Sequence, residues 1–263
     1  MSGVAQVLEA TRAAGRAALI GYLPVGYPDH ETSLAALAAL VEGGVDVVEV
    51  GVPYSDPLMD GPLIQFAVDA ALRGGARTAH ALDGARAVVA AGAPAVLMTY
   101  WNLVDRYGVE RFAADLAEAG ASGLITPDLI PDEAGAWLAA SEVHGLDRIF
   151  LVAPSSTDAR LASTCAASRG FVYAASTMGV TGVRTSVGDA AQTLVARCRE
   201  ATSTPICVGL GVSTPEQAAE VAGFADGVIV GSAFVRALRD GGVPAVRKLA
   251  ADLAEGVRSG TSA

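Results

Sequence analysis

Short aliphatic runs alternate with longer amphipathic stretches from one end of the chain to the other. Runs at 17–23, 45–51, 94–100, 122–126, 148–152, 170–175, 205–208 and 227–230 are rich in Val, Ile, Leu and Ala and are bounded by Gly, Pro and Asp. That is the pattern of strands buried on both faces, as in a parallel sheet. The stretches between them carry helical spacing at 3–14, 29–41, 62–72, 78–90, 104–119, 132–143, 157–167, 187–201, 214–222 and 243–257, and Gly231-Ser232 opens a further short helix. Asp29 begins a helix that ends at Gly43-Gly44, as a C′ glycine predicts. Eight strands, each followed by helix, predict a single-domain (β/α)8 TIM barrel spanning 1–263 with an extra N-terminal helix. An open doubly wound sheet would need G-x-G-x-x-G after the first strand, where this chain has Pro24-Val25-Gly26-Tyr27-Pro28.

Composition narrows the partners. Of the 263 residues, 52% are hydrophobic but only 5% aromatic, so the core is aliphatic. A net charge of −10 leaves no basic stripe for nucleic acid. A small anion held by backbone dipoles is compatible with that charge. Cys165, Cys198 and Cys207 show no CxxC spacing, which argues against a thiolate zinc site or a disulfide framework and for a cytoplasmic setting. Arg12 and Arg16 precede an apolar run, as in a signal peptide, but Glu9, Pro24 and Pro28 fit a helix leading into a strand. No apolar run approaches the ~18–20 residues of a membrane span.

Candidate chemistry concentrates after the second strand. Alternation places Val45, Val47, Glu49 and Gly51 on one face, so Glu49 is a carboxylate on an otherwise apolar surface. The loop that follows ends at Asp60-Gly61-Pro62. Glu49 could belong to a polar network and Asp60 could cap the next helix; alternatively, both serve catalysis. In such barrels the working residues stand at the C-terminal ends of strands. Tyr22, Tyr100, Asp128, Tyr173, Gly211 and Gly231 qualify along with Glu49 and Asp60. Glycines at 209, 211 and 231, the last before Ser232, sit where these barrels bind phosphate. Residues 176–185 have no apolar period and read as a loop. Lys248, the sole lysine, lies on the last helix, which removes a Schiff-base nucleophile from the rim. His30, His80 and His144 are scattered, so zinc ligands are absent and no metal is expected. Proton transfer by carboxylates is what remains.

VEVGVPYSDPLMDGPLIQ at 48–65 resembles the signature of the tryptophan synthase α-subunit family. YWN at 100–102, PDLIPDE at 127–133, FVYAASTMGVTG at 171–182 and GLGVSTPEQ at 209–217 extend the resemblance over nearly the whole chain in the family's order. Met59 and Leu63 depart from the frequent alanine and threonine, and 176–178 lack the arginine that some members carry.

The resemblance implies retro-aldol cleavage of indole-3-glycerol phosphate to indole and glyceraldehyde 3-phosphate, with Glu49 and Asp60 catalytic. It further implies an indole wall of Tyr22, Met98, Tyr100, Ile125, Tyr173 and Leu210. Thr181 would close over Asp60, and Gly182, Gly211, Gly231 and Ser232 would hold phosphate. No cofactor is expected in this chain. The implied partner is a β subunit carrying pyridoxal phosphate, in an α2β2 assembly, meeting this chain around 53–59, 101–106 and Pro131. The competing readings are a non-catalytic barrel that regulates its partner and another phosphate-binding barrel enzyme.

Overall fold

In the computed structural model, which describes residues 2–175, 188–209 and 211–260, eight parallel strands close into a barrel in sequence order. The helix α1 (Gly3–Ala13) precedes β1 (Ala18–Pro24), and α2 (His30–Glu42) leads to β2 (Val47–Gly51). Two helices, α3 (Pro62–Arg73) and α4 (Thr78–Ala91), precede β3 (Ala95–Met98). Another pair, α5 (Trp101–Tyr107) and α6 (Val109–Glu118), precedes β4 (Gly123–Thr126). Then α7 (Gly135–His144) leads to β5 (Asp147–Val152), α8 (Asp158–Ala167) to β6 (Val172–Ala175), and α9 (Gly188–Ala201) to β7 (Ile206–Gly209). Finally α10 (Pro215–Ala222) leads to β8 (Gly227–Val230), and α11 (Ser232–Ser259) ends the described chain.

The predicted barrel is thus the observed one, with local differences. The single helix expected at 104–119 is two, because Gly108 turns the chain at φ 94°, a conformation that side-chain-bearing residues avoid. The helix expected from 132 starts as a 3-10 turn, Pro131–Glu133. The helix after β8 is longer than a short cap. It runs on into the last helix across a break at Gly242 (φ 66°, ψ −163°), with Pro244 just beyond. The residues expected to begin two of the helices cap them instead: Asp29 accepts the Thr32 amide at 2.8 Å, and Thr214 accepts that of Gln217. Each such cap contributes about 1 kcal/mol.

Strand alternation divides the core into two layers. Leu19, Val48, Val50, Leu97 and Leu124 point outward and pack under the helices. Ile20, Val47, Val96, Ile125, Ile149, Phe171, Tyr173, Cys207 and Ile229 point inward and fill the barrel. From α1, Val4 and Leu8 join that inner cluster, so the extra helix stoppers the N-terminal end. Ionic clasps bind the same end. Asp46 accepts both terminal nitrogens of Arg16 and the Leu19 amide, each at 2.8 Å, and Asp226 accepts Arg12 and the Ile206 amide. With the bottom packed and clasped in this way, the C-terminal rim is left for chemistry.

Candidate active site

Glu49 projects inward from β2, opposite Tyr22 of β1 in the strand register. It is 1% exposed, and its Oε1 has no hydrogen-bond partner. A carboxylate in that position loses its hydration without compensation, so burial raises its pKa to about 8 and the group is protonated at neutral pH. The polar network that would have made Glu49 merely structural is absent around that oxygen. Asp60 stands half-buried at the end of the loop after β2, where burial raises it to about 6. Gly61, not Asp60, occupies the N-cap of α3, so the capping alternative for Asp60 is set aside.

Both carboxyls face one cavity at the C-terminal mouth, with about 740 Å³ of empty space, part of it open to solvent. Tyr22, Met98 and Tyr173 form its walls; Gly211, Gly231 and Ser232 line it as well. Both tyrosines lean across a neighbouring strand. A Cβ on Gly51 would lie 2.5 Å from the Tyr22 hydroxyl oxygen, and one on Gly209 would collide with the Tyr173 phenol. Glycine at these two points lets each ring lie flat against the wall. Burial raises both phenols well above the ordinary value, so they stay protonated donors. Ser232 and Ala233 begin α11, whose first amides have no intrahelical acceptor, and they line the cavity together with Ser213. No lysine or arginine occurs among the described lining residues, so an anion here would be held by backbone and hydroxyl groups.

The remaining expectations divide. Tyr100 lies beyond the end of β3 at Met98: it is the N-cap residue of α5, and its hydroxyl accepts the Leu58 and Met59 amides of the loop before Asp60. Ile125 is fully buried in the inner layer and does not reach the cavity surface. Thr181, Gly182, Leu210 and the loop at 176–185 fall wholly or mainly outside the described residues. Asp128 holds the start of α5 through the Trp101 amide, at 2.9 and 3.1 Å from its two oxygens. The cavity also includes residues that the sequence reading missed, namely Met59, Ile64, Leu151, Val212, Ser213, Ile229 and Ala233. Leu151 and Ile229 could have been found by carrying the inward phase of Ile149 and Gly227 two residues on. Among the described residues no group of three His, Cys, Asp or Glu could hold a metal ion. All three cysteines are free and buried.

The family model described as tryptophan synthase alpha chain matches residues 8–258. The chain belongs to the tryptophan synthase alpha chain family. The alpha chain of Mycobacterium avium is 64% identical over 262 residues, covering 100% of this chain and 97% of its own. That of Acidothermus cellulolyticus is 63% identical, with 98% of each covered. Tryptophan synthase from Mycobacterium tuberculosis, solved in space group F222, has a chain that superposes with a TM-score of 0.94 at 61% identity, with 98% of each chain covered. The alpha subunit from Legionella pneumophila str. Paris, at 30% identity, keeps a TM-score of 0.88 over 98% of this chain and 99% of its own. The alpha chain fold thus persists where two thirds of the residues differ.

Proposed function

We propose that this chain cleaves indole-3-glycerol phosphate to indole and glyceraldehyde 3-phosphate, with Glu49 moving the protons and Asp60 holding the charge. One observation carries the division of labour. Burial separates two carboxyls of a single cavity, so that near neutral pH Glu49 holds a proton while Asp60 is mostly ionised. Protonated Glu49 delivers its proton to indole C3, which puts positive charge on the ring nitrogen. Asp60 accepts the ring N–H and stabilises that charge. The Glu49 carboxylate then takes the proton from the hydroxyl on the carbon bonded to C3. The bond between C3 and that carbon breaks, its electron pair returns to the ring, and the alkoxide becomes the aldehyde. Glu49 ends protonated, ready for the next turnover; acid–base catalysis of this kind supplies about 10²- to 10⁴-fold.

Tyr22, Met98 and Tyr173 flank the indole, and Ile125 supports the floor from beneath. Gly211, Gly231 and Ser232 take the phosphate, with Thr181, Gly182 and Leu210 proposed on the resemblance alone. Phosphate held far from the reacting bond orients the other end of the substrate. No cofactor is assigned to this chain.

The proposed partner is a β subunit carrying pyridoxal phosphate, which joins the released indole to serine within an α2β2 assembly. Leu58 (76% exposed) and Phe66 (54% exposed) make the rim beside the loop an apolar surface suited to that contact. The setting proposed is cytoplasmic; no helix among the described residues is long and apolar enough to cross a membrane. Residues 1–263 are taken as one barrel domain. The test is indole release from indole-3-glycerol phosphate by the chain alone and with the β subunit, with serine added to detect tryptophan. Failure to release indole in both conditions refutes the reading.

A further inference from the structure

We propose that Tyr100 is a positioning residue for Asp60, its hydroxyl accepting the backbone amides of Leu58 and Met59 and so fixing the loop whose next residue carries the carboxylate. The proposal rests on the reading of Asp60 given above and adds what holds that group in place.

The two bonds measure 3.1 Å from the Leu58 amide and 3.0 Å from that of Met59. A phenol oxygen offers two acceptor sites, and two consecutive peptide planes fill both. Burial holds the Tyr100 pKa up to about 12, so the oxygen keeps its proton across the working range. Tyr100 is itself firmly set. It is 6% exposed, it caps α5, and the next amide, that of Trp101, is bound by Asp128. Its ring lies 5.1 Å from that of Tyr54, whose hydroxyl accepts Asn102 Nδ2 at 3.3 Å.

The loop is held again just past this tether, where the Asp60 carbonyl oxygen accepts Gln65 Nε2 at 2.7 Å, so Tyr100 fixes the backbone before the carboxylate and Gln65 the backbone at it. Ser55, Asp56 and Leu58 are exposed, and the loop's turn is carried by no strand or helix. Met59 and Asp60 are adjacent, with Cα atoms about 3.8 Å apart, so a shift at the tether is passed on to the residue that carries the carboxylate. A misplacement of about 1 Å costs on the order of 10²-fold in rate, which makes a two-bond tether worth having at this point.

The experiment substitutes Tyr100→Phe in the full chain, which keeps the ring against Tyr54 and removes the hydroxyl, donor and acceptor together. With indole-3-glycerol phosphate, kcat should fall about 10- to 100-fold while KM changes less than about threefold, because the phosphate grip is untouched. The rising limb of the pH profile should move down by about one unit as the freed loop lets water reach Asp60. In an Asp60→Asn background the same substitution should cost less than about twofold, since the tether acts through Asp60.

Hydrogen exchange provides a readout that needs no variant. The Leu58 and Met59 amides should be protected relative to those of Ser55 and Asp56 in the unaltered chain, and equal exchange overturns the tether. So does an unchanged kcat, or an undiminished loss in the Asp60→Asn background. Wild-type indole release in the same assay tells failure of this proposal apart from failure of the reaction assignment.

Discussion

Replacing Glu49 by Gln should abolish turnover and also make the protein more stable, by an amount that grows with pH. Glu49 ionises near 4.5 in an unfolded chain but near about 8 in the folded one. Between those values the folded state holds a proton that the unfolded state has released, so stability falls as pH rises through that window. The full difference of 3.5 units corresponds to about 5 kcal/mol. Integrated over the two titrations, the penalty is about 1 kcal/mol at about pH 5, about 3 at about pH 7 and close to its limit above about pH 9. Gln has the same shape and no titration, so it escapes the penalty.

Urea unfolding of both proteins at these three pH values is the assay, read as the change in the gap between them rather than its absolute size. The packing cost of an amide in place of a carboxyl is the same at each pH and cancels. The gap should widen by about 2 kcal/mol from pH 5 to pH 7, a relative midpoint shift of roughly 0.5–1 M. A gap that stays constant over this range would show that Glu49 titrates normally, and the reason given for its acid role would fall.

Four further outcomes follow from the same geometry. The pH dependence of kcat/KM should be bell-shaped, rising near pH 6 as Asp60 ionises and falling near pH 8 as Glu49 loses its proton; a profile flat between pH 5 and 9 contradicts both assignments. Asp60→Asn should cut kcat by about 10²-fold or more and remove the rising limb, and steady-state rates across pH check both at once. Gly51→Ala drives a methyl into the Tyr22 phenol and should cost about 1–3 kcal/mol in thermal unfolding. With Tyr22→Leu added, the double variant should be less destabilised than the sum of the two, and simple additivity would deny the contact. Ser232→Asp places a negative charge at the proposed phosphate site, so KM should rise at least about tenfold with a smaller change in kcat, and an unaltered KM would move the phosphate elsewhere.

Much of this was legible in the residues. Eight aliphatic runs, each followed by a helical stretch, yield the barrel, and alternation within the second run turns Glu49 inward, where a carboxyl is conspicuous. Tyr22 and Tyr173 were found because inward positions at strand ends face the mouth. What alternation does not encode is depth along the barrel axis. Ile125 has the inward phase yet lies below the cavity, while Ile229, of the same phase on β8, reaches it. Nor does it encode where a strand gives way to a helix. Tyr100 reads as the last residue of a strand, but β3 stops at Met98 and the Tyr100 hydroxyl binds the loop before Asp60. Ile64 and Ser213 enter from α3 and from the turn after β7, and their approach depends on how those segments pack against the barrel.

The two carboxyls differ in what their environments can change. Glu49 is set on a strand paired on both sides, to β1 and to β3, and its desolvation comes from the barrel wall itself. Strand pairing on both sides holds Glu49 in that wall, so its burial depends on the barrel more than on any one loop. Asp60 is set on a loop with exposed residues at 55, 56 and 58, and its desolvation depends on how closely that loop lies over the mouth. The same physical cause, loss of hydration, is therefore set by a paired strand at one group and by a loop at the other. Anything that packs on the rim acts first on Asp60, by deepening its burial or by loosening it from Tyr100. On the proposed roles, a contact at the rim should therefore change the group assigned to charge stabilisation more than the group assigned to proton transfer.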